Sequence, residues 1–224
     1  MGNGMNKVVD GLYLGNIRDS ENRQSLSQNG ITHILSVYNN ARPVFEDKTY
    51  LCIHAADASS ENLLQHFKEC IRFIHECRLN GGACLVHCLA GVSRSTTMVV
   101  AYLMTVTHYS WEECLTAVKA VRSFVGPNSG FQEQLRDYQT TQVSEKWLSS
   151  GDSTVQPIFL QVQYRAWLKS SFNPSPFNDP EQVGVLLVQF TEQQENQQRG
   201  GDHRWRNQDI KGCSVPTTPP EGSS

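Results

Sequence analysis

One cysteine and one arginine lie six positions apart in the stretch Ala83-Cys84-Leu85-Val86-His87-Cys88-Leu89-Ala90-Gly91-Val92-Ser93-Arg94-Ser95. A thiol becomes a strong nucleophile only as the thiolate, and its ordinary pKa of about 8.5 keeps it protonated at neutral pH. Backbone N–H groups, a helix N-terminus and a guanidinium all favour the ionised form. Arg94 is also suited to hold two oxygens of a phosphoryl group at once, which lysine cannot do in the same way. Gly91 gives the stretch a residue able to take positive φ, as a loop curling around an anion requires. Ser95 can donate its hydroxyl hydrogen to the sulfur. His87 is read as orienting the loop by hydrogen bonds rather than as a base. The residue types therefore describe a thiolate facing a phosphate-sized dianion.

Positioning such a group needs a strand, a loop and a helix in that order. The apolar run Cys84 to Val86 predicts a buried strand that stops at His87. Cys88 to Ser93 is then the loop, with Arg94 opening a helix that runs from Ser95 to about Thr105. Amides and a helix N-terminus converge at this point, the arrangement that binds phosphate elsewhere. The loop residues Leu89, Ala90, Gly91, Val92, Ser93 and Arg94 are the expected substrate contacts. A zinc site is the competing reading of adjacent His87 and Cys88, but no C-x2-C partner pair accompanies them, so no metal is expected.

The rest of the chain is read as scaffold for that loop. Val8 to Leu14 is expected as an edge strand with a turn, and Asp19 to Asn29 as one short helix capped by Asp19 or Ser20 and ended by Gly30. Ile31 to Val37 is a buried strand and Tyr50 to Ile53 another, joined by a polar loop. Asn62 to Leu79 shows helical spacing of apolar residues. Trp111 to Arg122, capped by Ser110, and Phe131 to Tyr138 follow as helices. Asp57 lies in the loop that follows the Tyr50 strand. A positioned carboxylic acid there can protonate a leaving oxygen and later activate water, while the plain alternative is a turn residue. Alternating βα segments imply an α/β fold with a central sheet flanked by helices.

The 224 residues suit one domain plus an extension, set at 1–140 and 141–224. From Thr140 on the composition turns to Ser, Gln, Pro and Gly, predicting a largely disordered low-complexity tail. Ile158 to Leu168 and Gly184 to Phe190 are apolar enough to serve as weak docking segments. A net charge of −3 without a basic stripe argues against nucleic acid as a partner. Seven scattered cysteines without a signal peptide point to free thiols in a reducing compartment, hence a cytoplasmic protein, nuclear entry remaining open. Cys84 or another thiol is a candidate disulfide partner for an oxidised Cys88. No apolar run approaches the roughly 20 residues of a membrane-spanning helix. Met1-Gly2-Asn3-Gly4-Met5-Asn6 follows the N-myristoylation pattern except for Asn6, where Ser or Thr is usual, making Gly2 the candidate acceptor. One myristoyl chain binds membrane only reversibly.

His87-Cys88-x5-Arg94-Ser95 resembles the signature of the cysteine-dependent protein tyrosine phosphatases. With Gly11 to Asn16, Ile31 to Ser36 and the Asp57 loop, the chain as far as about Gln139 is similar to the small atypical dual-specificity phosphatases, most like the N-myristoylated JNK-stimulatory subgroup. The resemblance implies the cysteine-dependent phosphatase fold with a central mixed sheet, and hydrolysis of phosphotyrosine and of phosphoserine or phosphothreonine in protein substrates of MAP kinase signalling, through a phosphocysteine and without a cofactor. It implies Cys88 as nucleophile, Arg94 as phosphate ligand, Asp57 as general acid and Ser95 as helper of the departing thiolate. It also gives Asn128, in Pro127-Asn128-Ser129-Gly130-Phe131, a role in buttressing the loop. The alternative is a catalytically weak scaffold that binds phosphoproteins, against which intact Cys88, Arg94 and Asp57 argue. The oligomeric state is left open.

Overall fold

The computed structural model describes residues 4–143 and 176–209, with side chains over 4–140 and 176–199. Gly2 and the Ile158 to Leu168 segment lie outside these residues. Among them, five strands form one mixed sheet in the order β1-β2-β5-β3-β4. β1 (Asn6–Val9) and β2 (Leu12–Gly15) form an antiparallel hairpin, turned at Gly11 with φ +75. β5 (Ala83–His87) lies at the centre, parallel to β2 on one side and to β3 (Ile31–Val37) on the other. β4 (Thr49–Ile53) pairs with β3 and closes the far edge. A strand covered on both faces reads as a continuous apolar run rather than an alternation. That is why Cys84, Leu85 and Val86 are all fully buried.

The two faces are covered unequally. On one, Leu26 packs with Ile31, Ile34 and Leu85. On the other, α3 (Phe67–Leu79), α4 (Arg94–Val106), α5 (Trp111–Val121) and α6 (Ser129–Val143) build the main core. In α3, Phe67, Cys70, Ile71, Ile74 and Cys77 form a buried stripe at helical spacing. Helix α4 is buried almost all round, with Met98 to Met104 fully covered, so the element that opens at Arg94 is also the core's axis.

Three expectations are revised. The single helix over Asp19 to Asn29 is two short ones, α1 (Ile17–Glu21) and α2 (Arg23–Gln28). Asn16 caps α1 in a reciprocal box with Asp19, and the Asn22 side chain caps α2 through the Ser25 amide, so each Asn starts a new helix. The segment from Asn62 begins as a short 3-10 turn, Leu64–His66, before α3. The disordered-tail reading fails over the last described stretch, which forms a helix, α7 (Asp179–Asp209). Val183 and Leu186 of α7 are buried, and Leu187 and Phe190 pack beside them on the core. Gly184 to Phe190 is thus a docking segment, as its apolar run suggested. Asp179 supplies the anchor: its carboxylate takes both Nη1 and Nη2 of buried Arg78 at 2.9 and 2.7 Å. Arg78 also donates to the Tyr102 hydroxyl at 2.6 Å and to the Asp10 carbonyl at 2.7 Å. The Phe177 ring stacks 4.0 Å from its guanidinium.

Candidate active site

The central strand delivers the chain to His87, and α4 takes it up again at Arg94. Between them the carbonyl groups of the loop are held from outside. Leu89 O accepts from the Ile17 amide at 3.2 Å and Val92 O from the Gly126 amide at 3.0 Å. Ala90 O and Gly91 O accept from Arg122 at 3.3 and 2.9 Å. Cys88 O lies 3.2 Å from His87 Nδ1. With its carbonyls tied outward, a tight loop turns its amides inward. The Gly91 amide accordingly donates to Cys88 Sγ at 3.2 Å. Gly91 is required there: its φ is +68, and a Cβ would collide with the Gly15 carbonyl oxygen.

Cys88 is 1 % exposed. Burial alone would raise its pKa, yet the hydroxyl and amide of Ser95 and the amides of Val92 and Gly91 outweigh it and hold the thiol below its ordinary value. The Ser95 hydroxyl is 3.2 Å from the sulfur. By contrast, burial pushes the Cys70 and Cys84 thiols well up. Cys84 faces the α3 side of the core, where Cys70 and Cys77 are its electrostatic neighbours. Four residues of extended chain put its Cα about 13 Å from that of Cys88, beyond disulfide reach.

Arg94 is buried, at 6 % exposure, and its Nη1 donates to the Ala55 carbonyl at 3.1 Å. Its Nε is buried without a hydrogen-bond partner among the described residues. The Asp57 carboxylate, through Oδ2, is 3.9 Å away, beyond hydrogen-bond reach. Asp57 is itself fastened to the rim of the loop: its Oδ1 accepts from the Ser93 hydroxyl at 2.8 Å and from Asn128 Nδ2 at 2.9 Å. The Asn128 amide donates in turn to Ser93 Oγ at 3.1 Å, and Asn128 Oδ1 accepts the Phe131 amide at the start of α6. Asn128 therefore ties the Ser93 end of the loop and the Asp57 carboxylate together. Gly130 lets this turn close, since a Cβ there would collide with the Ser59 backbone.

His87 is buried between Ser36 Oγ, 2.7 Å from its Nε2, and the Cys88 carbonyl. Burial pushes its pKa down to about 4. A neutral ring with Nδ1 donating to Cys88 O and Nε2 accepting from Ser36 satisfies both contacts, so it orients the loop as expected. Cys88, Gly91, Ser93, Arg94, Ser95, Asp57, Asn128 and His87 thus converge in space. Leu89 and Ala90 turn their side chains to solvent and contribute backbone, while Val92 is half-buried. Arg122 is the residue that sequence reasoning passed over. Fully buried just beyond α5, it holds two loop carbonyls and also donates to Gly4 O at 3.2 Å and Asn6 Oδ1 at 2.8 Å. The one available signal was an arginine following an amphipathic helix, which usually marks a solvated helix end.

The profile of the family described as "Dual specificity phosphatase, catalytic domain" matches residues 12–141. Dual specificity protein phosphatase 22-A of Danio rerio is 70% identical over 208 residues, covering 93% of this chain and 91% of that protein. Dual specificity protein phosphatase 22 of Homo sapiens is 51% identical over 188 residues, 84% of this chain and 92% of its own. The crystal structure of DUSP15 superimposes with a TM-score of 0.65 at 45% identity, over 78% of this chain and 100% of that one. A buried thiol held below its usual pKa, an arginine with a vacant donor and an anchored carboxylate are what such an enzyme needs, and the chain belongs to the dual specificity phosphatase family.

Proposed function

We propose that this phosphatase works in two steps centred on Cys88. The thiolate attacks phosphorus in line, the P–O bond to the substrate oxygen breaks, and Asp57 gives its proton to that oxygen. Arg94 and the inward amides hold the equatorial oxygens as charge redistributes. Water then attacks the phosphocysteine, Asp57 takes the water's proton, and the S–P bond breaks as the Ser95 hydroxyl donates to the departing sulfur. The observation that carries this reading is Arg94 Nε, a buried donor without a partner beside a thiol held ready to ionise. A buried unpaired donor costs about 1–3 kcal/mol, more for a charged group, which a bound phosphoryl oxygen would recover.

The test uses an aryl phosphate. Cys88→Ser abolishes turnover, and unchanged turnover would reject the assignment. Arg94→Lys lowers kcat about 100-fold or more, because one ammonium cannot replace a bidentate fork. Asp57→Asn slows poor leaving groups far more than good ones; equal slowing would move the acid elsewhere.

The same proposal covers setting and substrate. The likeness of the Met1 to Met5 segment and the catalytic motif to the JNK-stimulatory subgroup supports action on phosphorylated kinase-pathway proteins of JNK signalling. It also supports a myristoyl group on Gly2, with the enzyme cytoplasmic and reversibly at membranes. Among the described residues no helix is long and apolar enough to cross a membrane. Labelling with an alkynyl myristate should tag the wild-type protein and not Gly2→Ala. Equal labelling of both would remove the lipid from the reading.

A further inference from the structure

Beside the catalytic loop lies a cavity of about 840 Å³ that the two-step chemistry leaves unused. Its walls come from two connections at the carboxyl ends of strands. Ile17 and Glu21 belong to α1, after β2; Tyr38, Asn40, Arg42 and Val44 belong to the loop after β3. Both connections touch the catalytic segment. The Ile17 amide donates to Leu89 O, and the Tyr38 ring centroid is 5.7 Å from that of His87. The cavity thus adjoins the catalytic loop where Ile17 bonds to Leu89, a residue 49% exposed.

The loop over the cavity is preset by its own bonds. Asn40 takes φ 62 in a turn closed by the Ala41 amide on Tyr38 O. The Phe45 amide donates to the Tyr50 hydroxyl at 3.2 Å, and Arg23 stacks 4.4 Å from the Phe45 ring. Two nearby cations are engaged, since Arg23 and Lys48 both pair with Asp47, at 3.1 and 3.4 Å. Arg42 is exposed and, among the described residues, has no hydrogen bond or ion pair. It shares the cavity with Glu21 without pairing to it.

We propose that this cavity is a substrate subsite for residues flanking the phosphorylated one, in which Arg42 takes an anionic group, either a carboxylate or a second phosphate; the inference rests on the Cys88 chemistry proposed above. A guanidinium presents paired donors that match both oxyanions. Exposed Val44 and Leu89 offer apolar ground to the side chains between the two anions. Glu21 repels an anion at the opposite wall and so favours its seating at Arg42. Arg42 is then a specificity-determining residue, remote from the reacting atoms.

The experiment compares an aryl phosphate with three phosphotyrosine peptides that carry Gln, Glu or phosphoserine at one flanking position, scanned in turn along both sides. In the full-length wild-type protein, KM is lower for the Glu and phosphoserine peptides than for the Gln peptide, at the same flanking positions. The larger preference identifies which oxyanion is the better source. Arg42→Gln raises KM for the anionic peptides about three- to tenfold, with kcat unchanged. It leaves the Gln peptide and the aryl phosphate as they were. Arg42→Lys restores part of the preference, and Glu21→Gln shifts the anionic peptides the opposite way. Added salt weakens the preference. Equal changes for all peptides, or none for the anionic ones, overturn the subsite. Peptide affinities of Cys88→Ser give the same ranking without turnover. A wild-type protein inert toward the aryl phosphate would therefore reject the Cys88 chemistry, while the binding series still judges the subsite.

Discussion

Cys88 sits where burial and hydrogen bonding pull its proton in opposite directions, and the hydrogen bonds win. Removing one of them moves the balance predictably. Ser95→Ala raises the thiol pKa, so the pH midpoint for inactivation by iodoacetate moves upward; an unmoved midpoint would take Ser95 out of the ionisation. His87 behaves oppositely. Its folded pKa, about 4, lies below the ordinary value of 6.5. Between these values the unfolded chain binds a proton that the folded one refuses, so stability is full above pH 6.5 and falls as pH drops toward 4. The loss reaches about 3 kcal/mol from this ring alone. Urea unfolding at pH 7 and pH 4.5 should show it, and His87→Gln should flatten the difference. Most of this chemistry was legible in the sequence, because His87, Cys88, Gly91, Arg94 and Ser95 share one short stretch and the Cys88 sulfur takes its hydrogen bonds from amides and a hydroxyl of that same stretch. Asp57 and Asn128 were legible only through family likeness, since a loop carboxylate and a turn asparagine have ordinary local uses.

At the scale of elements, β5, the loop and α4 follow from an apolar run, a glycine and a helical apolar stretch in succession. The break at Asn22 escaped notice because Asp19 and Ser20 are good caps by type, whereas the box that forms runs from Asn16 to Asp19. Arg122 escaped for another reason. Its partners are the carbonyls of Ala90 and Gly91, and a backbone acceptor leaves no mark on residue type. Losing it leaves the Ala90 and Gly91 carbonyls without their brace. Arg122→Ala should lower kcat/KM for an aryl phosphate about 10- to 100-fold, as small displacements of preset amides do. The midpoint for Cys88 alkylation should rise with it. Arg122→Lys should not rescue either, since one ammonium cannot reach along three directions. A fall in activity without a shift in that midpoint would make Arg122 structural only.

For the whole molecule, α7 was hidden by composition. Val183, Leu186, Leu187 and Phe190 stand in a glutamine-rich stretch, and their partners lie far back in the chain, as Gln189 and Gln193 bonded to Ala120 O show. The anchor is the Arg78–Asp179 pair, with both side chains 1% exposed. Deleting one partner strands the other charge in the core, so Asp179→Ala should lower unfolding stability by about 3–5 kcal/mol. Equilibrium denaturation measures it, and a change below about 1 kcal/mol would mean that α7 detaches readily. Chain shortened before residue 176 should expose an apolar face on α5 and self-associate. The guanidinium of Arg122 has a wider meaning at this scale. With one hand it grips the turn around the sulfur, and with the other it grips Gly4 and Asn6. A purification tag, a fusion partner or a bilayer pulling on the first residues would load a lever whose far arm is the nucleophile's cradle, so the choice of which end to modify is a choice about catalysis.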